Sequence, residues 1–191
     1  MSARQRDSSA VACQLKITLK HSTPPIWRRI LVSGDTSLAK LHRILQLVMG
    51  WMDGHLHQFT IHGRNYGVPD REFDFGQRTL NEKSAMLLDV IYGEKDKFLY
   101  EYDFGDSWTH HIVVEKIVPK EEGKRYPLCL GGKRACPPED CGGVWGYVTF
   151  LEAIRDPTHP EHQEMIEWIG GGFDPEAFDL EQTNGQLRRL R

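Results

Sequence analysis

Lys97-Phe98-Leu99-Tyr100-Glu101-Tyr102-Asp103-Phe104-Gly105-Asp106-Ser107-Trp108-Thr109-His110-His111-Ile112-Val113-Val114 is the stretch on which the fold turns. Phe98, Tyr100, Tyr102 and Phe104 alternate with Leu99, Glu101 and Asp103, the period of two that a half-buried strand requires. Gly105, Asp106 and Ser107 bring turn chemistry, and Ile112, Val114 and Val118 share one face of the next segment, so residues 97–104 and 109–118 read as a β-hairpin. Pro119 ends it.

Towards the amino terminus, Val11, Cys13, Leu15, Ile17 and Leu19 alternate with polar or small residues, which predicts a strand over 11–19. Pro24-Pro25 lacks two backbone donors and breaks the ladder, and a second strand is expected over 26–32. Leu38, Leu41, Ile44, Leu45, Val48 and Met49 fall on one helical face, with Thr36 or Ser37 as cap and Gly50 as terminator. A further strand is expected over 57–66, a polar loop over 69–77 and a helical turn over 84–91.

Towards the carboxy terminus, residues 126–146 are rich in Gly, Pro and Cys without a period, and read as a long loop that something must pin. Helices are expected over 147–155, 161–169 and 180–190, the last interrupted by Asn184-Gly185. Nine carboxylates face the single cation Arg155 between Glu152 and Glu181. The order predicts an α+β domain with a mainly antiparallel sheet, one helix after the first two strands and a helical C-terminal third. Residues 1–10 are expected as a disordered tail. Residues 11–191 are expected as one domain, sheet-rich over 11–118, a Cys/Gly/Pro loop over 119–146, and helical and acidic over 147–191.

At 191 residues, 39% hydrophobic and 27% charged, the chain has the composition of a globular domain, which excludes disordered, collagen-like and coiled-coil classes. No apolar run approaches the roughly 18 to 20 residues of a membrane span, and the first ten residues lack the apolar segment of a signal peptide. A cytoplasmic location without membrane contact is therefore expected, where the four cysteines stay reduced.

Cys129, Cys136 and Cys141 form Cys-x6-Cys-x4-Cys in the unpatterned loop, a candidate zinc clasp, with burial as small hydrophobes the plainer alternative. His55 and His57 point to one side of an extended chain, and Asp103 and Asp106 lie at the hairpin tip. Together these four are candidate catalytic residues of a metal-dependent hydrolase, against ordinary turn bonds and surface histidines. Arg28 and Arg29 head a modest basic cluster, but a net charge of −3 argues against broad nucleic-acid affinity. Trp108 and Trp145 are candidate binding anchors, with core packing the alternative. Asp103-Phe104-Gly105 spells a kinase triplet without the accompanying Gly-rich and catalytic loops.

Ile26-Trp27-Arg28-Arg29, His55-Leu56-His57-Gln58-Phe59, Tyr102 to Trp108, the run from Arg134 to Gly143, Trp145-Gly146-Tyr147 and Phe173-Asp174-Pro175-Glu176 occur in order. In these the chain resembles the Ri-plasmid ORF-three-like family over residues 12 to 185. The resemblance implies a cytoplasmic α+β domain of bacteria and archaea whose activity is not established, some members carrying a transposon-resolvase label. Ser107 stands where the resembled motif has glycine. Recombinase chemistry finds no support: Ser8 and Ser9 lie in the tail, and the last aromatic residue is Phe178, with no later tyrosine.

The expectation is a non-enzymatic interaction or accessory domain, linked by the resemblance to mobile elements. Its partner would be an unidentified protein, and zinc in the cysteine clasp is the candidate cofactor. The alternatives are the His/Asp hydrolase and, more weakly, a nucleic-acid accessory protein.

Overall fold

A computed structural model describes residues 7–69 and 78–190. Its elements are β1 (Val11–Leu19), β2 (Trp27–Ser33), α1 (Leu38–Met49), β3 (His57–Ile61), β4 (Arg64–Gly67), β5 (Leu80–Asn81) and α2 (Leu87–Val90). There follow β6 (Lys97–Tyr102), β7 (Trp108–Pro119), β8 (Leu128–Lys133), α3 (Gly143–Arg155), α4 (His162–Trp168) and α5 (Leu180–Leu187). The strands form one eight-stranded sheet in the order β5-β4-β3-β6-β7-β1-β2-β8. Every pairing is antiparallel except β4 with β5. The chain is therefore α+β, as its patterning predicts.

The hairpin of β6 and β7 pairs Tyr102 with Trp108 and Phe98 with Ile112. Its alternation buries Phe98, Tyr100 and Tyr102 with Trp108, His110, Ile112 and Val114. β1 lies between β7 and β2, and its Cys13, Leu15, Ile17 and Leu19 join that core. The apolar stripe of α1 covers it. Ser37 caps α1 by accepting from the Lys40 amide, and Gly50 ends it at φ 93°, in the left-handed region glycine tolerates.

Several local expectations need correction. Residues 57–66 are two strands, because His62 and Gly63 at φ 49° and 74° make a tight two-residue turn, and Ile61 pairs with Arg64 across it. Residues 126–146 are not all loop: Leu128–Lys133 is strand β8, pairing with β2. Asn184-Gly185 does not interrupt α5. The Asn184 side chain instead accepts from the Cys129 amide at 2.8 Å and donates to the Cys129 carbonyl at 2.9 Å, closing the outer edge of β8. Ser8–Ala10, expected in the tail, form a 3-10 turn in which Asp7 accepts from the Ser9 amide. Residues 1–6 and most of the loop expected over 69–77 lie outside the described residues.

The basic cluster is not a free cationic face. Arg29 is held by Glu115, with Nε to Oε2 at 2.6 Å and Nη2 to Oε1 at 2.9 Å. Arg28 is 3% exposed and meets backbone oxygens only. Its Nε donates to Val48 O at 2.7 Å, Nη1 to Trp27 O and Lys133 O at 2.9 and 3.0 Å, and Nη2 to Arg134 O at 2.8 Å. Phe178 lies under the guanidinium at 4.5 Å. Gly132 leaves the necessary room, since a Cβ there would stand 2.7 Å from Arg28 Cδ and 2.8 Å from Phe178 Cζ.

Two measurements test this interior. Arg28→Met keeps the aliphatic stem but leaves the Val48, Lys133 and Arg134 carbonyls without a donor, so urea unfolding should show a loss of about 3 kcal/mol. His110 is fully buried, its Nε2 has no partner among the described residues, and burial pushes its pKa from 6.5 down to about 4. The unfolded chain then takes up a proton that the folded one refuses, so stability falls as pH drops from 6.5 towards 4, by up to about 3 kcal/mol. His110→Gln should flatten that slope in unfolding curves taken across this range.

Candidate functional site

Polar side chains gather where the end of α1, the 51–56 segment, β3 and the β6–β7 hairpin meet the loop after β8. His42 and Gln46, one turn apart on α1, both reach the Tyr100 hydroxyl, at 2.8 and 2.9 Å. His42 Nε2 faces the Asp53 carboxylate, an acceptor, so the imidazole proton belongs on Nε2 and Nδ1 accepts from the Tyr100 hydroxyl. The single N–H of the neutral imidazole thus donates to Asp53 Oδ1 at 2.6 Å. Gln46 also accepts from the Asp53 amide at 3.0 Å, which fixes its orientation. Burial keeps Tyr100 protonated and, with the neighbouring His57 second, lowers the pKa of His42.

The His57 ring lies parallel on that of His42, with centroids 3.4 Å apart and planes 2° from parallel, and its Nε2 meets Glu82 at 2.7 Å. His42, His57 and Asp53 have ligand atoms close enough for a metal. The stacking argues against it. Imidazole lone pairs lie in the ring plane, and a zinc ion about 2.0–2.1 Å from each nitrogen cannot lie in two parallel planes 3.4 Å apart. This is a hydrogen-bonded stack between two carboxylates.

His55 belongs to a separate group. Its Nδ1 is 3.7 Å from Asp103 Oδ2 and its Nε2 is 3.3 Å from Asp140 Oδ1, and these three residues can offer one ligand atom each to a single ion. Asp103 closes the hairpin turn, where its Oδ1 accepts from the Gly105 amide at 2.9 Å. Asp103 and Ser107 have φ of 57° and 53°, so Ser107 holds a conformation suited to glycine.

Asp140 arrives on a strap over residues 137–142. Trp51 Nε1 donates to Pro137 O at 3.0 Å, Tyr102 donates to Glu139 Oε1 at 2.5 Å, and the Met52 amide donates to Glu139 Oε2 at 3.2 Å. Asp106 accepts from the Gly142 amide at 3.2 Å, which ties the hairpin tip to the far end of the strap. Gly146 lets α3 start directly beneath it, since a Cβ there would lie 1.8 Å from Cys141 O. Among the described residues no ion pair joins a lysine or arginine to Asp53, Glu82, Asp103, Glu139 or Asp140.

The four expected catalytic residues are thus divided. His55 and Asp103 meet, His57 faces His42 and Glu82, and Asp106 fastens the strap. Asp140, His42, Asp53 and Glu82 join these groups and lie outside the candidates that residue spacing supplies. Among the described residues the three cysteines do not enter any three-ligand group. Cys129 lies in β8 with its Sγ 3.6 Å from the Arg29 and Gly131 carbonyls. Burial pushes the Cys136 and Cys141 thiols up to about 12, so they carry their protons at neutral pH. Trp108 is wholly buried and packs beside Trp51, whereas Trp145 is 85% exposed on α3.

Comparison with known proteins matches the chain to proteins described as uncharacterised or of unknown function. An uncharacterised protein of Sinorhizobium fredii, y4hQ, is 39% identical over 177 residues, covering 92% of this chain and 90% of that protein. The crystal structure of a protein of unknown function, MM3350 from Methanosarcina mazei Go1, superposes with a TM-score of 0.83 at 39% identity, covering 91% of this chain and 97% of that one. The family model described as plasmid pRiA4b ORF-3-like protein matches residues 11–182, through both the sheet and the strap that deliver His55, Asp103 and Asp140. The chain belongs to the plasmid pRiA4b ORF-3-like family.

Proposed function

We propose that this protein binds a divalent cation through His55, Asp103 and Asp140 and uses it in hydrolytic chemistry at its surface. The observation that carries the reading is that His55, Asp103 and Asp140 each bring one ligand atom within 4.8 Å of the other two, so that a single ion on one His55 nitrogen is within reach of both carboxylates. One imidazole and two carboxylates suit Mn²⁺ or Zn²⁺. A closed structural zinc site takes four protein ligands, whereas three leave positions for water, the arrangement in which a metal generates a nucleophile at neutral pH. The exposure of Asp140, whose side chain is 71% accessible, supports such an opening.

A second reading, a docking domain for a partner protein, is favoured by the exposure of Met52, Leu56, Phe104 and Trp145 on segments that border this site.

Titration of metal-free protein with Mn²⁺, followed by electron paramagnetic resonance, tests the first reading. One site per chain is expected, weakened at least tenfold in His55→Gln and in Asp140→Asn and unchanged in Cys136→Ser/Cys141→Ser. Binding that ignores both of the first two substitutions would remove the proposed site.

A further inference from the structure

Asp140 has a second neighbourhood. Beyond the strap, α3 and α4 leave a groove of about 470 Å³, within the range of ligand-binding clefts. Its apolar lining includes Phe150, Met165 and Trp168, and Asp140, Glu161 and Glu164 bring carboxylates to it. Trp168 packs edge-on against Phe150 at 5.7 Å and still leaves 46% of its surface exposed. Among the described residues, the carboxylates of Glu161 and Glu164 have neither hydrogen bond nor ion pair. Two unpaired carboxylates about an exposed indole and a thioether call for a ligand that is both cationic and apolar.

Arginine and lysine are the side chains that join a charge to an aliphatic stem, and a guanidinium pairs with carboxylates while stacking on an indole. The groove is open to solvent rather than enclosed, which suits a chain segment better than a small closed ligand. The surrounding residues strengthen the same preference, because Arg155 is the one cation between Glu152 and Glu181.

We propose that the groove between α3 and α4 binds a peptide segment carrying arginine or lysine next to an apolar residue, and that Asp140, shared by groove and metal group, sets this segment beside the cation. The second half rests on the metal-binding reading above. It names the substrate class of that site as a basic peptide.

The test is fluorescence anisotropy of two labelled hexapeptides, Gly-Leu-Arg-Leu-Arg-Gly and its counterpart with glutamate in place of both arginines, titrated with the full chain. The basic peptide should bind at least tenfold more tightly than the acidic one. Glu161→Gln/Glu164→Gln should weaken that binding at least tenfold, while the control Glu152→Gln/Glu181→Gln, outside the groove, changes it less than twofold. Equal binding of the two peptides, no binding at millimolar protein, or equal losses in both double variants would overturn the groove. Mn²⁺ titration of the same proteins separates the two readings. Mn²⁺ binding retained in Glu161→Gln/Glu164→Gln without peptide selectivity in the wild type sinks the groove alone. Peptide selectivity without any Mn²⁺ binding keeps the groove and removes the proposed placement beside a cation.

Discussion

The buried guanidinium of Arg28 is the constraint around which this structure is arranged. A charge inside a protein is costly unless its donors are met, and here backbone oxygens take four of the five guanidinium N–H groups without any carboxylate. Those oxygens come from β2 itself, the last turn of α1, and the end of β8 with the residue beyond it. The Val48 carbonyl also lies at the negative end of the helix dipole, where a cation is favoured. One side chain therefore ties the end of α1 to the point where β8 leaves the sheet. Trp51 comes just after the first point and the strap just after the second, and the indole donating to Pro137 joins them. The geometry at His55 is downstream of that join.

The candidate site is built from two unlike materials. His42, Gln46 and Tyr100 come from regular elements and are held by short hydrogen bonds in the interior, so their positions follow from helix and strand geometry. Asp140 and Glu139 come from an irregular segment whose shape depends on its partners at Trp51, Met52, Tyr102 and Asp106. The strap thus has no shape of its own to contribute. It borrows one from the sheet, and two of the lenders, Tyr102 and Asp106, sit on the hairpin that also positions Asp103.

Much of this is legible in the residues, and the failures have physical causes. Period-two alternation locates β1, β6 and β7, and the 3.6-residue stripe locates α1 with its Ser37 and Gly50 ends. β8 escapes such a reading because Leu128 to Lys133 is an edge strand with two glycines, and its ladder partners lie some 100 residues earlier. The turn at His62-Gly63 escapes it because histidine is an unusual first residue for it, although the following glycine carries the signal. His42 is easily overlooked since it sits on an otherwise apolar helical face, and a polar residue there is itself a sign of a buried partner. Which carboxylate meets which histidine depends on long-range packing, so spacing brings His55, His57 and Asp103 into view together but gives no sign that His57 pairs with Glu82.

The clamp of Asn184 on β8 has a consequence for the growing chain. Until α5 emerges, the outer edge of β8 presents an open row of backbone donors and acceptors, which is the surface on which strands of separate molecules pair. Cys129 and Asn184 are 55 residues apart. At about 5–20 residues per second of synthesis, that edge waits roughly 3–11 s for its cover. A ribosome that stalls beyond β8 holds a nearly finished sheet with one side still adhesive, and nascent chains on the same message are its nearest company.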